Sequence, residues 1–149
     1  MNIAYELKEK NPDILLVGER HGKILEGFNY GNSPSQLENV DLKNKIIVHT
    51  TSAGTQGIAN AKNAKEILTG SLVNAKAVAK YIKESGEQDV SLVCMGLRAV
   101  SQTEEDNLCA EYIKSLLENK PMDLSDKIES LKSTSGAKFF DEKQQEVFP

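Results

Sequence analysis

Glu19 and Arg20 stand side by side directly after a short apolar run, and together they offer two complementary kinds of chemistry. A carboxylate can hold a hard cation such as magnesium, and a guanidinium can clamp a phosphate, sulfonate or carboxylate through two parallel N–H bonds. A solvated ion pair accounts equally well for the same two residues. Further along, Thr50-Thr51-Ser52-Ala53-Gly54-Thr55 sets hydroxyls and a flexible glycine where another apolar run ends. If a strand turns into a helix there, free amides and the helix dipole suit an anionic oxygen group. No lysine follows the glycine, so this is not the P-loop motif, and Gly54-Thr55-Gln56-Gly57 does not match the dinucleotide fingerprint. A Thr/Ser-rich turn that only caps a helix is the simpler alternative.

A third set of polar groups is Glu104, Glu105 and Asp106. Carboxylates in a helix's first turn are favoured by the dipole whether or not they bind anything. His21 and His49 are the only histidines, and neither lies between arginines as a phosphohistidine nucleophile would require, so both read as polar loop residues. Cys94 and Cys109 have no metal-ligand spacing and sit in apolar patterns, which predicts buried free thiols. Neither occupies the electropositive loop that lowers a catalytic thiol's pKa, which argues against covalent cysteine chemistry.

The elements that must position these residues read as alternating strands and helices. Residues 14–17 and 46–48 are continuous apolar runs suited to strands buried on both faces, and residues 66–70 and 90–96 are two further strand candidates. A helix is expected over 74–85, with Asn74 as its cap and Gly86 as its stop. Another runs from Thr103, where Leu108, Cys109, Tyr112, Ile113, Leu116 and Leu117 repeat at helical spacing. A short helix is expected over 124–131, and residues 5–10 form an amphipathic lead-in to the first strand. Such alternation predicts an α/β fold, a three-layer α/β/α arrangement with a mostly parallel or mixed sheet. Ligands of open α/β sheets bind at the carboxyl ends of the strands, where the polar segments above are placed.

The 149 residues suit one domain over 1–149, and 18 basic against 22 acidic residues give a net charge of -4 with both signs interspersed. This argues against a nucleic-acid partner. No apolar run approaches the roughly 20 residues that span a bilayer, and residues 1–10 lack a signal peptide's apolar stretch, so no membrane association and a cytoplasmic location are expected.

Several segments in order resemble the motifs of 2-phosphosulfolactate phosphatases: Gly18-Glu19-Arg20, Gly27-Phe28 with Gly31-Asn32-Ser33-Pro34, Thr50-Thr51 through Gly54-Thr55, Gly70-Ser71-Leu72-Val73-Asn74-Ala75, and Glu105-Asp106-Asn107-Leu108-Cys109-Ala110. The resemblance implies a magnesium-dependent hydrolysis of 2-phospho-3-sulfolactate to 3-sulfolactate and phosphate, a step in coenzyme M biosynthesis. With that chemistry, Glu19 is the first choice as catalytic carboxylate and magnesium ligand, with Glu105 or Asp106 second. Arg20, Asn32, Ser33, Thr50, Thr51, Ser52, Gly54, Thr55 and Asn74 would bind the small anionic phosphorylated substrate. Water would attack phosphorus with help from Mg2+. The family pattern also includes an N-terminal strand ending in an Asp-x-x-Arg-Ala type motif, which residues 1–13 do not match, and a C-terminal segment past Phe148-Pro149. His21 and Ala53 stand where glycine and asparagine are common. The alternative reading is a truncated relative that binds anions or another subunit without turnover. A truncated sheet would expose an edge, which predicts homo-oligomers formed through it.

Overall fold

The computed structural model describes residues 2–20 and 22–142, and His21 and the final residues 143–149 lie outside them. The chain begins with helix α1 (Asn2–Lys10), followed by β1 (Leu15–Arg20), β2 (Lys23–Ile24), β3 (Ile47–Thr50) and α2 (Gly54–Asn60). Helices α3 (Ala75–Ser85), α4 (Glu104–Leu117) and α5 (Ser125–Leu131) complete it, with short 3-10 turns at Pro34–Gln36 and Ala137–Phe139. The sheet has the order β2-β1-β3. β1 runs parallel to β3, pairing Leu15 with Ile47 through Gly18 with Thr50, and antiparallel to β2. The α/β class and mixed sheet expected from the sequence are both present.

β1 takes the centre because its apolar residues can be covered on both faces. Leu16 is wholly buried and Val17 is 4% exposed. Leu16 packs with Ala4, Ile14 and Phe28, while Tyr5, Leu25 and Val48 close the cluster. α1 is docked on this core rather than merely leading into it. Tyr5 meets Phe28 edge to face at 5.7 Å, and its hydroxyl donates to the Glu26 carbonyl at 2.8 Å. Lys8 Nζ donates to the carbonyls of Pro12 and Ile14, which fastens the helix's end to the start of β1.

β1 is longer than its apolar run. It continues through Glu19 and Arg20, which pair with Ile24 and Lys23 across a tight hairpin. Gly22 completes that hairpin at φ 75°, a conformation L side chains disfavour. Glu19 and Arg20 are therefore strand residues, not loop residues after the strand.

Two expected strands are absent. Residues 66–70 and 90–96 have no ladder partner, and their apolar side chains are largely exposed, with Ile67 at 43%, Leu68 at 41% and Val93 at 75%. An apolar run becomes a strand only where a neighbouring main chain takes its N–H and C=O groups, and neither segment forms a ladder with any described segment. Cys94 shares the fate of its segment and is exposed, while Cys109 is half-buried. Both thiols are free, but the buried state expected for them is not found.

The expected helices form. Gly86 ends α3 in the left-handed region at φ 73°. α4 starts after an extended Thr103, carries its three acidic residues in the first turn and buries Leu108 and Ile113. α3 presents Ala75 and Ala79 as its buried stripe and packs on α4. Among the described residues no helix is long and apolar enough to cross a membrane.

Candidate active site at the carboxyl end of the central strand

The approach of β3 to β1 is set by Gly18. A Cβ at this position would lie 2.2 Å from the Thr50 carbonyl oxygen, and φ is 155°. Glycine alone lets the two strands close here. The Gly18 amide donates to the Tyr30 carbonyl at 3.0 Å, so the segment carrying Asn32 and Ser33 is drawn to the same strand end.

Glu19 follows and is the best-connected carboxylate of the site. Its Oε1 accepts from the Ser52 hydroxyl at 3.0 Å and its Oε2 from the Gly22 amide at 2.7 Å. Partial burial pushes its pKa up, but the Gly22 amide, the hydroxyl and amide of Ser52 and the Arg20 guanidinium together hold it below the usual glutamate value. Glu19 is therefore an anion at neutral pH that locks the hairpin turn to the β3–α2 loop. Beside it, the Arg20 Nε is buried without a hydrogen-bond acceptor. A charged donor in that position gains from any anionic oxygen brought to it.

The loop from Thr50 to Thr55 does turn a strand into a helix. Thr51 and Thr55 close it reciprocally: the Thr51 amide donates to Thr55 Oγ1 at 3.1 Å, and the Thr55 amide to Thr51 Oγ1 at 3.3 Å. These hydroxyls thus perform the turn-closing role that was the simpler reading of the motif. Ser52 is turned toward Glu19, and Gly54 opens α2 exposed to solvent.

Asn32 Oδ1 lies 2.7 Å from His49 Nε2. Ser33, 9% exposed, bonds through its hydroxyl to that of Ser35. Asn74 sits apart from this group in its bonding: its side chain accepts from Ser71 and donates to the Thr69 carbonyl, closing the turn before α3.

The first turn of α4 approaches from the other direction. Asp106 Oδ2 accepts from the Gly96 amide at 2.6 Å. Met95, the residue before, is so close to Gly57 on α2 that a Cβ there would meet its Sδ at 2.5 Å. The chain of contacts Asp106–Gly96–Met95–Gly57 thus joins the α4 start to the helix that follows the Thr50–Thr55 loop. Glu105 Oε2 and Thr103 Oγ1 are buried without partners. Burial first, and the Asp106 charge second, push the Cys94 and Cys109 thiols up, which keeps them protonated and poor nucleophiles.

The structure does not bring Glu19, Glu105 and Asp106 together into one cluster. Among the described residues no group of three or more His, Cys, Asp or Glu side chains is gathered for a metal ion. Both Glu19 oxygens and one Asp106 oxygen already accept protein N–H or O–H groups. Sequence reasoning grouped the three by motif, while it missed the partnership of Glu19 with Ser52 and Gly22 and that of Asn32 with His49. Glu19 and Gly22 are three residues apart and their bond depends on the hairpin turn, whereas no local signal announces the bonds of Glu19 with Ser52 and of Asn32 with His49.

The family model for 2-phosphosulpholactate phosphatase matches residues 1–147. A protein of Thermoplasma volcanium named "Probable 2-phosphosulfolactate phosphatase" is 39% identical over 120 residues, which is 80% of this chain and 55% of that protein. Identically named proteins of Bacillus subtilis and Carboxydothermus hydrogenoformans are 32% and 43% identical, over 95% and 83% of this chain and 62% and 50% of their own lengths. The chain thus spans between half and two thirds of each of these relatives. With a family match over nearly all its length, the chain belongs to the 2-phosphosulpholactate phosphatase family.

Proposed function

We propose that the protein hydrolyses the phosphate monoester of a small acid, 2-phospho-3-sulfolactate or a close relative, to the alcohol and phosphate. The reading rests on one observation beyond family membership: an ionised Glu19 tied to Ser52, next to an Arg20 whose buried Nε lacks an acceptor. Arg20 would take a phosphate or sulfonate oxygen, and amide and hydroxyl donors around Ser52 would bear the charge that develops as water attacks phosphorus. Magnesium enters through the family resemblance as a shield for phosphate charge. The roles above belong to the protein's own groups. A cytoplasmic step of coenzyme M biosynthesis is the setting that this substrate implies.

The ungathered carboxylates favour one second reading, an anion-binding or subunit-interaction protein without turnover. Phosphate release from phosphosulfolactate and from an aryl phosphate, each with magnesium and with EDTA, separates the two. Release that EDTA abolishes supports the hydrolase, and binding of phosphosulfolactate without release supports the second reading.

A further inference from the structure

We infer that His49, oriented by Asn32, handles the proton in the phosphate chemistry of this site, with Asn32 as its positioning residue; the inference rests on the hydrolase reading above. An amide oxygen can only accept, so the 2.7 Å contact to Asn32 Oδ1 places the proton on His49 Nε2 and leaves the Nδ1 lone pair available. His49 is a residue of β3 and not of a loop, so its backbone is fixed as well as its ring.

The bond is built into the sheet. Tyr30 bridges to Val17 on one side of β1, and His49 pairs with the same Val17 from β3 on the other. Asn32, two residues past Tyr30, therefore reaches His49 across β1. Paired residues of adjacent strands share a face, and the period of two puts Glu19 on that face too. His49 also lies two residues before Thr51, at the entrance to the hydroxyl-bearing loop. Its exposed position leaves it open to substrate and solvent. The charged or titratable groups on the elements packed against β3 are Glu19 and Arg20 of β1 and Tyr30 of the segment that carries Asn32.

The step balances without an added reactant. As water oxygen bonds to phosphorus, His49 Nδ1 takes a water proton. The ester P–O bond breaks, its electron pair leaves with the alcohol oxygen, and the imidazolium proton reaches that oxygen by way of solvent. A base so placed contributes on the order of 100-fold or more.

The test uses the whole chain with 15N-labelled histidine in a His21→Gln background, which leaves His49 as the sole imidazole. Its ring should show the Nε2–H tautomer, with an Nε2 resonance that is retained in Asn32→Asp and shifted in Asn32→Ala. Inorganic phosphate should move its ring resonances. His49→Gln should lower kcat about 100-fold with KM changed less than about 3-fold, and should remove the acidic limb of the kcat–pH profile. An Nδ1–H tautomer, ring signals indifferent to phosphate, or a His49→Gln variant with unchanged kcat and profile would overturn the inference. If the unsubstituted chain releases no phosphate, the hydrolase reading fails on its own. The phosphate response then decides alone: movement of the His49 signals keeps it in the anion site, and none removes it.

Discussion

Ser52 Oγ donates a 3.0 Å hydrogen bond to Glu19 Oε1 across 33 positions of sequence, and this bond joins the end of the central strand to the loop that begins α2. It holds the Glu19 charge where phosphate chemistry is proposed, and it does so in company with the Gly22 amide on the other carboxylate oxygen.

Removing that bond should be visible in the titration of Glu19. Its folded pKa lies below the ordinary value, so its ionisation contributes stability above the unfolded pKa that is lost as pH falls through the folded one. Ser52→Ala removes one stabilising donor and should raise the folded pKa, narrowing this acid-side window. Carboxyl NMR titration of the two proteins checks it, and identical midpoints would dismiss the bond as a contributor.

Gly18 and Gly22 both have positive φ, yet they should respond differently to alanine. At Gly18 the new Cβ meets the Thr50 carbonyl at 2.2 Å, whereas at Gly22 it meets nothing within 4 Å. Gly18→Ala should cost about 2–4 kcal/mol, from strain and displacement of β3, and Gly22→Ala about 1–2 kcal/mol from the left-handed backbone alone. Urea midpoints at unchanged slope rank them; equal losses would contradict the close approach of the strands.

Leu16 is the largest wholly buried side chain among the described residues. Leu16→Ala should destabilise by about 2–5 kcal/mol through lost burial and the cavity left behind. A loss under about 1 kcal/mol would mean that the cluster around Ala4, Ile14 and Phe28 is not the core of the first half of the chain.

Arg20 supplies a test of anion binding. Lysine keeps the charge but not the two-pronged donor, so Arg20→Lys should raise KM for a phosphorylated acid about 10-fold with a smaller change in kcat. Unchanged KM would place Arg20 in a surface ion-pair role, the alternative that its sequence neighbourhood also allowed.

Among the described residues β3 is the terminal strand of its sheet, with Ile46 58% exposed just before it and Ile47 40% exposed within it. An unpaired strand edge of this kind is a template for pairing. Sedimentation velocity over a wide concentration range should reveal concentration-dependent association, weakened by Ile47→Lys. A monomer at every concentration would count against pairing through this edge.

By itself the amino-acid sequence determined the helices α3, α4 and α5, the two apolar runs that became β1 and β3, and the segments that carry the candidate site. These are local matters: apolar period, a glycine stop after α3 and acidic residues in the first turn of α4 are legible within a few residues of one another. The second run, expected to be buried on both faces, leaves Ile46 and Ile47 exposed, because among the described residues β3 is paired on one side only. Tertiary structure decided the rest. Whether 66–70 or 90–96 becomes a strand depends on a partner main chain, and an apolar run contains no information about who will lie beside it. Which motif carboxylates converge depends likewise on where distant elements pack. So Glu19 meets Ser52 rather than joining Glu105 and Asp106, and His49 is held by Asn32. Hydrogen bonds between residues far apart in the chain form only when the fold brings donor and acceptor together. The motifs named the participants, and packing chose the pairs.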